Sequence, residues 1–146
     1  MNATSVRRIR EHIKSGRIHF WVIGPPCETW TAVRFRELLT LLGKQGPRPL
    51  RSGQEPWALR HLTKREYRQL YVGNTLLQTT GSLVADSLEA GVGGIVEHPD
   101  EPSNKTYPSI WRLPIFRRVA AHPQTRVVSF EQGPLGQSSA KPKRCN

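Results

Sequence analysis

The sequence predicts an α/β domain built on about three mostly parallel strands with helices on both faces. Three observations predict it. Helix-like and strand-like segments alternate in the order helix, strand, helix, helix, strand, helix, strand. The first strand-like segment, residues 18–23, is short and apolar on nearly every residue, as parallel strands covered on both faces are. The segments between them carry helical periodicity, so right-handed crossovers are the expected connections.

The elements follow in order. Thr4 or Ser5 is the expected cap of a first helix with Val6, Ile9 and Ile13 on one stripe, ended by Ser15 and Gly16. Residues 18–23, IHFWVI, read as the first strand, and 24–31 as a loop. A leucine-rich helix is expected over 32–42, closed by Gly43. Residues 43–62 carry glycine and proline breakers and no period, so they read as an irregular basic loop, either a disordered insertion or a segment whose arginines, lysine and Trp57 hold a nucleic-acid strand. Thr63 and Glu66 form a capping-box pattern. Behind it Tyr67, Leu70, Tyr71, Asn74, Leu77, Gln78, Gly81, Val84, Ala85 and Leu88 share one helical face, with the tyrosines expected in the core. Asn74, Gln78 and Gly81 interrupt that face, which suggests a polar site or a close neighbour. Residues 92–96 read as the second strand, 111–121 as a helix with Pro114 at its main turn, and 125–130 as the third strand. Residues 132–146 form a turn-rich basic tail.

A chain of 146 residues and 16.5 kDa is one domain's worth, here taken as 1–146. Its 22 Lys and Arg against 11 Asp and Glu leave a formal charge of +11, which favours a polyanionic partner, DNA foremost. Two cysteines, Cys27 and Cys145, without paired spacing point away from a zinc site or a disulfide framework and toward a reducing, intracellular compartment. The charged N-terminus is unlike a signal peptide, and no apolar run approaches the roughly 20 residues of a membrane span.

WVIGPPCETW, residues 21–30, carries the chemistry. Two prolines fix two φ angles in front of Cys27, a rigid mounting that suits a nucleophile more than a packed thiol. A thiolate is favoured near a helix start or a cation, and Cys27 has both an expected helix start and Arg34 nearby in sequence. Glu28 beside the thiol works in the opposite sense. In open parallel sheets ligands sit outside the carboxyl ends of the strands. Cys27 and Glu97 each fall just past such an end, so adjacent strands would bring them to one crevice.

WVIGPPCETW resembles the catalytic signature of the DNA (cytosine-5) methyltransferases, and GGIVEHP resembles their next signature, an apolar strand ending in Glu-Asn-Val. The tail, residues 127–146, is more loosely similar to divergent members of the family. The resemblance implies a Rossmann-like methyltransferase fold, present in its second half. It implies that Cys27 adds to carbon 6 of a flipped cytosine and that Glu97 binds the ring at nitrogen 3. Carbon 5 would then attack the methyl group of S-adenosylmethionine. Pro25, Pro26, Arg34 and His98 are the expected substrate-binding residues, Pro26 shaping the pocket.

The chain departs from the family at Glu28, where glutamine is usual, and at His98 and Pro99. The glycine-rich loop and acidic residue that hold the cofactor are missing, and GVGG at 91–94 opens a strand rather than leaving one. The expected product is a catalytic fragment, inactive alone. The alternative is a non-catalytic, basic nucleic-acid-binding or interaction module derived from a degenerate methyltransferase. Strand 18–23 would have a bare edge, open to a complementing chain or to self-association. Two other readings fit less well. A zinc deaminase needs its His-x-Glu before Pro-Cys-x-x-Cys, the reverse of the order here. A cysteine hydrolase needs a histidine on Cys27, for which His98 is the candidate.

Overall fold

A computed structural model describes residues 2–35, 47–131 and 142–145. Helix α1 (Ala3–Lys14) starts at Asn2, whose side-chain oxygen accepts the Thr4 N–H at 2.7 Å. Asn2 thus takes the capping role expected of Thr4 or Ser5, since an asparagine there reaches the same orphan donors. Only Ile13 of the apolar stripe is buried. α1 is tied instead to α2 (Lys64–Glu89) by Arg10, which donates to Asp86 at 2.7 Å and to Ser82.

Strand β1 (Phe20–Ile23) begins two residues later than expected. Ile18 donates to the His12 carbonyl at 3.3 Å and so finishes the helical turn rather than opening the strand. β2 (Gly93–Pro99) pairs with β1 in parallel, from Phe20 beside Gly93 to Ile23 beside Val96. β3 (Val128–Glu131) does not touch β2 directly. Between them lies β4 (Pro142–Cys145), antiparallel to both, giving the order β1-β2-β4-β3. Three strands therefore share one direction, but only β1 and β2 form a parallel pair. The tail expected to be turn-rich contributes a strand, while residues 132–141 lie outside the described residues.

Among the described residues the helices pack on one face of the sheet, where helices on both faces were expected. Trp21 and Val96 on that face meet the core of Trp30, Leu77, Val84, Ile110, Trp111, Leu113, Phe116 and Val119. Phe20, Val22 and Ile95 alternate with these residues and stay 59, 68 and 37 % exposed. An apolar run does not distinguish a strand covered twice from one whose outer face is open.

α2 has the expected capping box. The Thr63 hydroxyl accepts the Glu66 N–H, and the Glu66 carboxylate accepts the Thr63 N–H at 2.8 Å. Its buried stripe is turned from the expected one. Leu70, Gly73, Leu77, Thr80, Gly81, Val84 and Ser87 face inward, and Tyr67 and Tyr71 are exposed at 61 and 64 %. Small residues let the helix approach closely, which an apolar count passes over: a Cβ at Gly81 would stand 2.7 Å from Cδ1 of Ile115. Ser87 costs little in the interior because its hydroxyl donates to the Leu83 carbonyl at 2.8 Å. Helix α3 (Pro114–Ala120) follows a single 3₁₀ turn at Ile110–Arg112, where one helix over 111–121 was expected.

In place of the start of the expected 32–42 helix is a 3₁₀ turn at Ala32–Phe35, and residues 36–42 lie outside the described residues. So do residues 43–46 of the irregular basic loop; its remainder, 47–62, has no helix or strand but is packed. Leu59 donates to Leu50 and Gly53 to Thr106, each at 2.8 Å, and Leu50 is buried. No described helix is long and apolar enough to cross a membrane.

Candidate functional site

The register of β1 and β2 builds the site. Ile23 lies beside Val96, so one residue further Gly24 comes level with Glu97. Oε2 of Glu97 stands 3.7 Å from the position a Cβ would take at Gly24, so the carboxylate lies against the start of the Gly-Pro-Pro-Cys segment. Glu97 shares the open sheet face of Ile95, yet its Oε1 is buried. It lies inside β2 rather than past its end, because β4 extends the pairing through Pro99. Relative to β1 it is still the first residue beyond the parallel ladder.

From Gly24 the chain turns through Pro25, which is buried, and Pro26, which is exposed, to the half-buried free thiol of Cys27. A turn then fixes the cysteine: its carbonyl accepts the Trp30 N–H at 2.8 Å, and Thr29 and Trp30 are buried as anchors. Glu28 is engaged on the α2 side, where its carboxylate accepts from Gln69 at 2.9 Å. Arg34 clamps the same turn by donating Nε to the Glu28 carbonyl at 2.7 Å and Nη1 to the Arg48 carbonyl at 3.0 Å. Burial lowers the Arg34 pKa from its ordinary value, offset by the charges of Glu28 and Glu66.

Behind the turn sits Arg51, fully buried, its guanidinium carbon 3.9 Å from the centre of the Trp30 ring. It donates Nη1 to the Pro56 carbonyl at 2.8 Å and to Oδ1 of Asn74 at 3.0 Å. Asn74 in turn donates to the Trp57 carbonyl, and Trp57 meets Trp30 edge to face. Burial, with the nearby charge of Arg34, pushes the Arg51 pKa down to about 9. A guanidinium stays protonated near neutral pH, so this is a cation held by a ring face and two carbonyl oxygens rather than by a carboxylate. Arg51 and Trp30 escape sequence reasoning because they lie 21 residues apart in unrelated segments. The signal that pointed toward them is Asn74, polar on a helix face that should have been apolar.

His98 does not join Glu97. Successive strand residues face opposite sides, and His98 is 2 % exposed in the covered layer, edge-on to Trp111 with ring centroids 6.2 Å apart. This corrects its placement among substrate-binding residues and separates it from Cys27 as an activating base. Sequence reasoning also passed over Cys145 as a terminal residue, whereas β4 sets it opposite Glu97 in the register.

The Glu97 carboxylate thus lies beside Gly24 at the carboxyl end of β1, with Cys27 three residues further along the Gly-Pro-Pro-Cys segment and Arg34 bonded to the turn that follows. The described cavity of about 650 Å³ lies elsewhere, at the other end of the strands, around Gly93 and Val128. The described residues do not fit S-adenosylmethionine, because neither β1 nor β2 leaves its carboxyl end through a glycine-rich turn into a helix. Among them no group of three or more His, Cys, Asp or Glu could hold a metal ion. Comparison of the chain with family models, curated proteins and solved structures finds no match in any of them.

Proposed function

We propose that this chain is a catalytic fragment of the DNA (cytosine-5) methyltransferase type, in which Cys27 attacks an extruded cytosine held by Glu97. The observation that carries the reading is the placement of the Glu97 carboxylate 3.7 Å from where a Cβ would stand at Gly24, three residues ahead of the thiol at the end of the neighbouring strand. Three co-directional strands with helices packed on them are compatible with the second half of a Rossmann-like methyltransferase sheet.

The chemistry uses the groups present. The thiolate sulfur of Cys27 forms a bond to carbon 6, and the carbon 5–carbon 6 π pair moves to carbon 5. A proton held by Glu97 at ring nitrogen 3 stabilises the displaced charge. Carbon 5 then takes a proton from water. Reversal removes either hydrogen from carbon 5 and expels the thiolate, so the cytosine is regenerated with its carbon 5 hydrogen exchanged. Pro25 and Pro26 keep the thiol's approach stiff, Arg34 holds the turn, and the charge of +11 draws in DNA. No methyl transfer is derived, because the described residues do not fit the cofactor.

The test is exchange of the carbon 5 hydrogen of cytosine in a single-stranded oligonucleotide kept in heavy water with the chain, read by mass. Wild type should catalyse it, and Cys27→Ser should be slower by about 100-fold or more. Equal rates in the two would overturn the reading. Salt-sensitive DNA binding without exchange would instead identify the non-catalytic, degenerate module, which the misfit to the cofactor and the open sheet face favour.

A further inference from the structure

The first turns of α2 carry a surface that helix stability does not explain. Tyr67 and Tyr71 stand one turn apart, 61 and 64 % exposed, on the side away from the buried Leu70, Gly73 and Leu77. Lys64 and Arg68, both exposed, form a second row, each three residues before one of the tyrosines. Arg65 is exposed beside them. Four residues of helix rise about 6 Å, so that distance along the axis separates the rings and likewise the two cations. Among the described residues these five side chains make no hydrogen bond, ion pair or ring contact. Lys64 and Arg65 lie in the first turn, where the helix dipole disfavours positive charge. Lys64 and Arg68 are a like-charge pair at i, i+4. The acid of that turn, Glu66, is engaged by Arg48 and Thr63. Charge set against the dipole and against itself marks a surface kept for a partner.

We propose that this face of α2 is a platform for single-stranded DNA, with the two tyrosine rings stacking on bases and Lys64, Arg65 and Arg68 meeting phosphates. Stacking on exposed rings needs bases that are not enclosed in a duplex, so a single strand fits and a double helix does not. The phosphates of the same strand fall on the row of cations beside the rings. An acidic polypeptide would engage those cations and leave the rings unused. The chain's charge of +11 draws the strand in from a distance and opposes a second copy of the chain. The same helix flanks the thiol turn, because Gln69 donates to the Glu28 carboxylate at 2.9 Å. The choice of DNA over RNA rests on the cytosine chemistry proposed above. The platform itself uses neither Cys27 nor Glu97.

The experiment is fluorescence anisotropy of the full chain with a labelled oligothymidine strand, which offers Cys27 no cytosine. Saturable binding is expected. Tyr67→Ala and Tyr71→Ala should each weaken it about fivefold or more without changing its salt slope, and Tyr67→Phe and Tyr71→Phe should bind as wild type. Lys64→Gln combined with Arg68→Gln should lower the slope of log affinity against log salt by about 1.4. All four positions are exposed, so circular dichroism melts should stay close to wild type. A duplex of the same length should bind more weakly. Alanine variants that bind as tightly as wild type overturn the proposal, as does tighter binding of the duplex or of an oligouridine RNA. Tighter binding of polyglutamate would assign the face to an acidic polypeptide, which also overturns it. Tyrosine-dependent binding without carbon 5 exchange sinks the Cys27 chemistry alone. Exchange with alanine variants that bind as wild type sinks the platform alone.

Discussion

Substitution of Gly94 tests the register that places the candidate site. Gly94 pairs with Trp21 across β1 and β2, and the indole lies over the space a side chain would fill. A Cβ at Gly94 would stand 2.6 Å from Cε3 of Trp21 and closer still to Cδ2 and Cε2. Ordinary carbon contacts are about 3.5 to 4.0 Å, so the overlap is at least about 1 Å. The indole is not free to yield, because it packs against the core cluster. Overpacking of this kind costs about 3 kcal/mol, at the upper end of the usual range. Replacing glycine in a strand returns about 1 kcal/mol through the unfolded chain. Gly94→Ala should therefore destabilise the domain by about 2 kcal/mol in urea titrations followed by circular dichroism. In a Trp21→Ala background the same substitution should be neutral or stabilising, because the clash is gone. A double-mutant cycle should thus show a coupling of about 3 kcal/mol, the size of the clash itself. Additive effects would refute the pairing of Trp21 with Gly94, and with it the placement of Gly24 beside Glu97.

Other expectations follow from single contacts. Thr63→Ala removes the cap of α2 and should cost about 1 kcal/mol in the same titration. The Glu101 carboxyl is held below its ordinary value of 4.5, first by its hydrogen bond from Arg112. Its folded-state pKa being depressed, it stabilises the fold fully above about pH 4.5 and loses that contribution as pH falls through the folded value. Arg112→Met should therefore flatten the acid limb of a stability profile, and an unchanged limb would contradict the pairing. Arg112 also donates to the carbonyls of Pro102, Lys105 and Tyr107, so the same variant should speed amide exchange over residues 100–107. DNA association should weaken steeply as salt is raised, and a flat response would remove the polyanion argument.

The stretches that build the site are legible because apolar runs and breakers are physically unambiguous. Residues 18–23 end at Gly-Pro-Pro, and 92–96 end at Glu-His-Pro, so two neighbouring strand ends can be read directly. What pairs with them is less visible. Pro142 to Cys145 has no apolar pattern, and its strand character comes from a backbone ladder with β2 and β3. That extension also carries β2 through His98 and turns the histidine into the covered layer, an outcome fixed by alternation and not by composition. The rotated face of α2 has the same origin: Gly73, Thr80, Gly81 and Ser87 are buried for their small size, while Tyr67 and Tyr71 keep their rings outside. The Arg51 and Trp30 stack depends on residues 47–62 folding back on the body, for which no periodicity exists to be read.

The most direct measurement of the central claim is the intact mass of the chain after incubation with an oligonucleotide carrying 5-azacytosine, whose adduct with a thiolate persists without a methyl donor. The account predicts a complex of one chain with one oligonucleotide, linked at Cys27, absent in Cys27→Ser and at least about 100-fold slower to form in Glu97→Gln. An adduct mapped to Cys145, no adduct at all with a folded chain, or equal rates in wild type and Glu97→Gln would contradict it.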